Sequence, residues 1–326
     1  MRRSPDVVPG PPDVMPRSPD VVPASRNAMP RSRNSRPRSS GRASSSTRRV
    51  QISDVAARAP LYLATYVLSI ATLFPLYYTL DTALKTEGQY ARSTFGLVSR
   101  PTFENFINAW STSGLGLDVD MLHSAIVAVG GTIICVAAAA LAGFGLSQMK
   151  PKPRRRLLIF IVAFMMITPP VLIVPLYLSL IRFNLADNFV GGILAYAALF
   201  VPFSVYLTSS FFGEVPREIL ESAVVDGAGP WQRFQRIVLP IGRPALTTLS
   251  VLIFLWIWND LLFALILLQG SNVRTAMASI AGLIGQYNLP ETGLAAGLLV
   301  AMVPPLVVFF LFQSKIERGL TMGTGK

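Results

Sequence analysis

Residues 221–240 carry the charged side chains whose spacing best suits recognition of another molecule, in a compact polar segment between long apolar runs. Pro216 can open a helix before this segment, because a proline at the first helical position lacks an N–H that has no partner there anyway. Gly227 can close that helix in the left-handed conformation. A second short helix is predicted to begin at Pro230 and to end before Pro240. The pattern is typical of a docking element on the surface of a protein.

Each predicted helix of this segment has an apolar side. In the first helix, four residues at the spacing i, i+1, i+4, i+5 share one face: Ile219, Leu220, Ala223 and Val224. In the second, the apolar residues face away from the polar ones, with Trp231, Phe234, Ile237 and Val238 on one side and Gln232, Arg233, Gln235 and Arg236 on the other. An amphipathic hairpin that lies on a lipid surface is the alternative to a docking element.

Six long apolar stretches must position this segment. The chain is apolar overall, with a mean hydropathy of +0.49 and 52% hydrophobic residues, yet its net charge is +12. Because the positive charge is segregated from the apolar stretches, neither a soluble domain nor a nucleic-acid-binding protein fits. A helix needs about 20 residues to cross about 30 Å of hydrocarbon. Six stretches reach or approach that length, at about 60–81, 124–146, 157–180, 189–212, 245–268 and 293–313. The sequence predicts an all-α integral membrane protein with six transmembrane helices.

Lysine and arginine indicate the orientation of these spans. With the N-terminus inside, 24 of the 29 Lys and Arg residues fall on the inner side and five on the outer side, as the positive-inside rule requires. The strongest local determinant is the basic cluster within 150–156, whose side chains we expect to be solvated or to anchor at lipid headgroups. Both termini and the 221–240 segment are therefore predicted to face the cytoplasm.

Residues 1–59 form a basic tail rich in Pro, Ser and Arg, in which a 14-residue pattern beginning at Arg3 recurs from Arg17. Such a composition cannot bury a core, so we expect a disordered cytoplasmic tail followed by a membrane domain at 60–326. The tail lacks the apolar region of a cleavable signal peptide. Two explanations for it stay open: contact with anionic lipid, or a true start of translation further downstream.

The 221–240 segment closely resembles the EAA loop of ABC importer permeases, whose pattern combines Glu-Ala-Ala, Asp-Gly-Ala and Ile-x-Leu-Pro. The matching residues are Glu221, Ser222, Ala223, Asp226, Gly227, Ala228, Phe234, Ile237, Leu239 and Pro240. Ser222 replaces the second alanine, a small-for-small exchange. In that family the loop contains a coupling helix that sits in a cleft of a cytoplasmic ATPase subunit. The resemblance therefore implies that the loop at 213–244 couples this chain to an ATPase.

Three further segments resemble the second, shorter permease of the maltose-type carbohydrate-uptake systems, and the resemblance covers about 61–326. These segments are Pro101–Phe106, Phe254–Leu265 and Glu317–Lys326. Asp260 stands where that family usually has Glu. The resemblance implies a type I ABC importer permease fold in a bacterial inner membrane, and transport of a sugar or oligosaccharide. The same machine could instead carry a polyol, a glycerol phosphate or another small solute.

The resemblance also implies partners. These are a second permease subunit, two cytoplasmic ATPase subunits, an extracellular solute-binding protein and the lipid bilayer, with no role for nucleic acid. No phosphate-binding Gly-x-x-x-x-Gly-Lys-Ser/Thr motif occurs in the chain. We therefore expect ATP and Mg²⁺ in the partner ATPase, no cofactor in this chain, and no enzyme activity of its own. A secondary transporter is the alternative from another class, but it would be expected to show intramembrane carboxylates or an inverted repeat.

Within the loop, the resemblance assigns the main electrostatic role to Glu221, whose carboxylate is expected to meet a basic residue of the ATPase. The alternative for Glu221 is an exposed helix charge. Gly227 shapes the turn, and Asp226 is expected to cap the second helix. Small side chains allow close approach at Ala223 and Ala228. Packing of the loop against the spans is expected from Ile237, Leu239 and Pro240.

Asn259 and Asp260 are strongly polar residues deep in the predicted fifth span. An ionisable group is expensive in lipid, so this pair is expected to face the interior of the helix bundle. Two roles stay open, hydrogen bonding between helices or contact with the sugar, and Trp256 and Trp258 could offer stacking faces or simply pack. The single histidine and the single cysteine, His123 and Cys135, provide no metal-ligand set, and no catalytic residue is predicted.

Overall fold

A computed structural model describes residues 47–111, 116–270, 272–286 and 290–322 of the 326-residue chain. Two compact units are distinguished, Met1–Tyr62 and Leu63–Lys326. In the first unit the described residues are helical from Thr47, where α1 (Thr47–Ala83) begins. Residues 47–59 contain no proline, so a helix can form there, within the tail for which the sequence predicts disorder. The predicted disorder of residues 1–46 lies outside the described residues.

All regular structure in the described ranges is helical. The helices after α1 are α2 (Glu87–Arg92), α3 (Glu104–Trp110), α4 (Leu117–Ser147), α5 (Pro151–Met165), α6 (Pro169–Arg182), α7 (Phe189–Gly213), α8 (Arg217–Val225), α9 (Pro230–Arg233), α10 (Leu239–Asn259), α11 (Leu262–Leu267), α12 (Ala276–Gln286) and α13 (Glu291–Met322). A π-helical turn, Phe234–Val238, joins α9 to α10.

Within the described residues, five helices are long and apolar enough to cross a membrane: Tyr62–Ala83, Leu117–Ser147, Phe189–Gly213, Pro230–Asn259 and Glu291–Lys315. A sixth crossing is present if the bent pair of α5 and α6 counts as one span. Each of the six predicted stretches corresponds to one of these helices or to the bent pair. The all-α membrane architecture is confirmed.

The predicted third span, 157–180, is not a straight helix. α5 and α6 meet at an angle of 93° across a short break. The break ends at Thr168, whose backbone is extended with ψ 132°, and Pro169 opens the next helix. A proline disfavours the helical conformation of the residue before it and offers no N–H to the preceding turn. The length of the apolar stretch alone predicts one straight helix across the membrane. The prolines interrupt that helix, so the prediction of a straight third span is wrong.

The predicted fifth span, 245–268, is displaced toward the N-terminus. The helical run begins at Pro230 and ends at Asn259, because the backbone of Asp260 is extended with ψ 130°. Asp260 Oδ2 then accepts hydrogen bonds from the backbone N–H groups of Phe263, at 3.0 Å, and Ala264, at 3.2 Å. Asp260 thus starts the short helix α11 and does not continue α10.

Helices α4, α7 and α10 contact one another through buried apolar side chains, and α13 packs against α10. A few interhelical hydrogen bonds join these helices. Thr208 Oγ1 in α7 donates to the Ala139 carbonyl in α4 at 2.8 Å. Trp258 Nε1 in α10 donates to the Ala301 carbonyl in α13 at 3.1 Å. Lipid offers no partner to polar groups, so such bonds satisfy them inside the protein.

The end of α1 is held by the segment that follows it. Lys85 Nζ pairs with Asp81 Oδ2 at 2.6 Å, and both side chains are buried. Asn105 Nδ2 donates to the carbonyls of Ala83, at 2.7 Å, and Lys85, at 2.8 Å. The Pro101–Phe106 segment therefore closes the polar end of the first span.

Candidate functional site

The first helix of the 213–244 loop, α8, ends in a Schellman turn. Gly227 has φ +80°, and its N–H donates to the Val224 carbonyl at 3.0 Å. The N–H of Ala228 donates to the Ala223 carbonyl at 2.8 Å. These two hydrogen bonds satisfy the last carbonyls of the helix while the chain reverses. The left-handed turn predicted at Gly227 is therefore confirmed.

The prediction that the second helix ends before Pro240 is wrong. Pro230 opens α9, as predicted, but α9 continues through the π-helical turn Phe234–Val238 directly into α10. Pro240 lies inside this continuous helix next to the π turn, where the hydrogen-bond ladder is already altered. The loop is consequently joined to the fifth span without an interruption.

The caps of the two helices also differ from those that the sequence predicts. Pro216 is the N-cap of α8, which begins at Arg217. The N-cap of α9 is Gly229, whose N–H donates to Gln232 Oε1 at 3.1 Å. Asp226 lies at the C-terminal end of α8, so the prediction that it caps the second helix is wrong.

Leu220 and Phe234 fasten the loop to the membrane helices. Each is only 6% exposed, and the buried cluster that contains them also includes Ala140, Phe212, Val215 and Val238. The ring of Phe234 lies 5.3 Å from that of Phe144 in α4, measured between centroids. Ile237 and Leu239 pack against the same cluster, as predicted. Pro240 is exposed, so its predicted packing role is wrong.

The loop also presents apolar side chains that the described chain leaves uncovered. The exposed fractions are 43% for Ile219, 51% for Val224, 88% for Val225 and 57% for Trp231. The sequence predicts one shared apolar face for α8, but the helix buries only Leu220 and Ala223 of that face. Exposed apolar patches on a protein surface mark contacts with a partner or a membrane. We call these four exposed residues the outer patch.

Glu221 is exposed and lies at the edge of a polar cavity of about 280 Å³. Basic side chains from α8 and from the segments around α5 and α9 line this cavity: Lys150, Arg154, Arg217 and Arg233. Arg154 Nη2 donates to the Ser209 carbonyl at 3.0 Å. Sequence reasoning treated the 150–156 cluster as a solvated charge run, and it missed this contact because residues 154 and 209 lie on different helices.

Two of the four residues singled out near the fifth span are engaged inside the chain. Trp258 is 4% exposed, and its indole N–H reaches the Ala301 carbonyl. Asp260 Oδ2 accepts a hydrogen bond from Tyr196 Oη in α7 at 2.7 Å. Of the two roles open for Asp260, these contacts favour hydrogen bonding between helices.

Trp256 and Asn259 instead reach the surface of the chain. Trp256 is 41% exposed, and its ring lies 5.4 Å from that of Phe200 and 5.0 Å from that of Phe203. Asn259 is exposed, with Nδ2 bonded to the Leu255 carbonyl at 2.8 Å. Residues three apart share a helix face, so an aromatic ring and an amide lie together on one side of α10.

His123 and Cys135 make contacts within the helix bundle. His123 Nδ1 lies 3.1 Å from the Arg274 carbonyl oxygen, and the buried Cys135 Sγ lies 3.2 Å from Ser204 Oγ. Across the ranges that the structure describes, no group of three or more His, Cys, Asp or Glu side chains is placed to hold a metal ion.

Residues 130–322, which include the whole loop, three of the five candidate spans in full and the bent pair of α5 and α6, match the family described as the binding-protein-dependent transport system inner membrane component. The chain belongs to this family. The permease is also 30% identical over 280 residues to the diacetylchitobiose uptake system permease protein NgcG of Streptomyces coelicolor, an alignment that covers 85% of this chain and 92% of the relative.

Other similar proteins agree with this assignment. The permease is 29% identical to the melibiose/raffinose/stachyose import permease protein MelC of Bacillus subtilis, with 81% of this chain and 95% of the relative covered. Its fold matches a chain in the crystal structure of a bacterial ABC transporter involved in the import of the polysaccharide alginate. The TM-score is 0.68 at 19% identity, over 84% of this chain and 99% of the other. The ABC importer permease fold is confirmed.

Proposed function

We propose that this permease is one subunit of a heteromeric, ATP-driven ABC importer and forms half of the translocation pathway for a sugar or oligosaccharide. The observation that carries the proposal is the two-sided construction of the 213–244 loop. Leu220 and Phe234 hold the loop against the membrane helices, while the outer patch and Glu221 are exposed. The uptake permeases for diacetylchitobiose and for melibiose, raffinose and stachyose among the relatives support a sugar as the cargo.

In this proposal the outer patch docks in a cleft of a cytoplasmic ATPase subunit. Removing its apolar surface from water stabilises the contact by about 25 cal/mol per Å². Glu221 adds a charge contact with a basic residue of the ATPase, and loss of one partner of such a pair costs about 2–5 kcal/mol at a desolvated interface. Because α9 runs into α10 without a break, displacement of the loop moves the fifth span with it.

The proposed assembly contains a second permease, two ATPase subunits and an extracellular solute-binding protein. ATP and Mg²⁺ would be bound by the ATPase, with no catalytic residue and no cofactor in this chain. The family description names a binding protein. The surface of α1 is available to a second permease or to lipid, because no residue in the most apolar window of Tyr62–Ala83 is buried within this chain. The distribution of Lys and Arg supports cytoplasmic termini and a cytoplasmic loop.

We assign Trp256 and Asn259 to the sugar pathway, in preference to Trp258 and Asp260. An exposed aromatic ring can stack on the apolar face of a sugar, and a nearby amide can bond its hydroxyl groups. Trp258 Nε1 and Asp260 Oδ2 are already bonded within the chain. This division separates residues that line the path from residues that hold the helices together.

Co-purification from mild detergent, followed by mass spectrometry, tests the coupling role. We expect an ATPase, a second permease and a binding protein with the wild-type chain. Glu221→Lys should lose the ATPase and keep the second permease. Glu214→Lys is the matched control, because it reverses the same charge at an exposed residue outside the motif, and it should keep both. Wild-type chain that purifies under gentle conditions without any ATPase would refute the proposal.

A further inference from the structure

Two cavities meet at the basic end of α5. The polar cavity of about 280 Å³ described above lies among the start of α5, the end of α7 and α8. An apolar cavity of about 570 Å³ runs along α5. Met149, Pro151, Arg154 and Arg217 line both. The two cavities therefore form one continuous site with a polar head and an apolar extension.

The polar head carries a clear excess of positive charge. Its lining contains Lys150, Arg154, Arg217 and Arg233, against the carboxylate of Glu221. None of these five side chains belongs to an ion pair found in the described part of the chain. Four cationic side chains against one carboxylate favour an anionic ligand in this cavity.

Helix α7 holds Arg154 in place before any ligand arrives. Arg154 Nη2 donates to the carbonyl of Ser209 in the last turn of this helix. Gly213 makes room for the guanidinium, because a Cβ at this position would lie 2.7 Å from Arg154 Nη2. The guanidinium is thus positioned by the chain itself.

The apolar extension has the length of one lipid leaflet. It is lined by residues that follow Arg154 and Arg155 along one face of α5: Leu158, Ile159, Val162, Ala163 and Met166. From Arg154 to Met166 the helix rises about 18 Å, and half of the hydrocarbon core is about 15 Å thick. A groove of this length crosses one leaflet, beginning at its basic end.

We propose that this site binds an anionic phospholipid, with the phosphate among Arg154, Arg217 and Arg233 and one acyl chain along the α5 groove. Arginine offers paired donors that match phosphate oxygens. The groove holds the acyl chain against the protein and so separates it from the surrounding lipids. A carboxylate of an ATPase would match the charge but not the apolar extension. An apolar helix of another subunit would cover the groove but would leave the cationic side chains of the polar head without an anion.

The bound lipid would touch the coupling loop beside the residues proposed to contact the ATPase. Glu221 and Val224 line the same polar cavity as the arginines, so the phosphate lies beside the helix that carries the outer patch. The site is a property of this chain alone, and it does not depend on which solute is transported.

Native mass spectrometry of the assembled transporter tests the site, with phosphatidylglycerol and phosphatidylcholine as probes. We expect the wild type to retain phosphatidylglycerol in preference to phosphatidylcholine. In Arg154→Gln/Arg217→Gln, retention should weaken about fivefold for each charge removed, or about 25-fold for the pair. Arg156→Gln is the matched control, because Arg156 lies on the same helix and lines neither cavity. It should retain lipid like the wild type.

A second pair of variants tests the groove without changing the charge. Ala163→Trp fills the groove and should weaken retention of phosphatidylglycerol, whereas Leu157→Trp adds the same indole outside the lining and should not. Equal retention of both lipids by the wild type, or an equal loss in Arg156→Gln, would overturn the proposal. So would loss of the ATPase from Arg154→Gln/Arg217→Gln with lipid retention unchanged, which would assign the cavity to the ATPase. Lipid mass is the readout, so failure here is distinct from failure of the coupling role.

Discussion

Gly227→Ala tests whether the shape of the coupling loop is needed to join the ATPase to the membrane helices. An added Cβ would meet no atom within 4 Å, so the substitution introduces no clash. Its cost is conformational, because Gly227 has φ +80° and an L-residue in the left-handed region costs about 1–2 kcal/mol. With about 1.4 kcal/mol for each factor of ten, the turn should become about 5- to 30-fold less favoured.

Hydrogen exchange and coupled uptake measure this effect. The amides of Gly227 and Ala228, which close the turn, should exchange faster by about the same factor. Uptake per ATP hydrolysed in proteoliposomes should fall. Gly227→Asn should lie between wild type and Gly227→Ala, since asparagine tolerates this conformation better.

The matched control for the turn is Gly229→Ala. Gly229 has an ordinary φ of −67°, and its added Cβ would also meet no atom within 4 Å. Alanine is less favoured than glycine at the N-cap of α9, so this variant should weaken the start of α9 slightly but leave exchange at Gly227 and Ala228 as in the wild type. Unchanged exchange and uptake in Gly227→Ala would refute the reasoning, as would equal damage from Gly229→Ala.

Phe234→Ala should lower the free energy of unfolding by about 3–5 kcal/mol, because it empties the cluster that anchors the loop; thermal unfolding in detergent measures this. Trp231→Ala should cost about 0.5–1.5 kcal/mol of stability, because its ring lies 5.5 Å from that of Phe234, and should weaken co-purification of the ATPase; a variant that keeps full ATPase binding would remove Trp231 from the docking surface. Trp256→Ala should raise the KM of uptake with little change in stability. Tyr196→Phe should cost about 0.6–1.7 kcal/mol of stability and leave KM unchanged, so a raised KM at full stability would contradict the assignment of Asp260 to interhelix bonding.

The turn of the coupling loop was predictable from the sequence because it depends on a few adjacent residues. Gly227 supplies a conformation that other residues reach at a cost, and Pro230 starts a helix without losing a bonded N–H. The approximate position of most spans was also predictable, because lipid demands a minimum apolar length. Both inferences use only local chemistry.

The faces of α8 and the path of the third span were not predictable in the same way. Periodicity places Leu220 and Val224 on the same apolar face of α8. Leu220 is buried in the cluster with Phe234 whereas Val224 is exposed, and this difference depends on distant helices. Hydropathy averaged over 157–180 carries no information on the direction of the helix axis, so it could not reveal the 93° bend between α5 and α6. Pro240 looked like a helix end, yet the widened turn before it allows the helix to continue.

The uninterrupted helical run from Pro230 to Asn259 has a mechanical consequence. Its 30 residues form a rod about 45 Å long, with the docking loop at one end and the proposed sugar contacts at the other. If this rod tilts by about 10°, its far end moves by about 8 Å, a displacement comparable to the width of a sugar ring. A flexible turn in the middle of the rod would absorb part of this movement. The altered hydrogen bonding of Phe234–Val238 lies at the driven end, where a bend would cost the whole lever arm. Burial of Phe234 and Val238 in one apolar cluster stiffens this turn, so that a tilt of the loop can reach the far end of the rod.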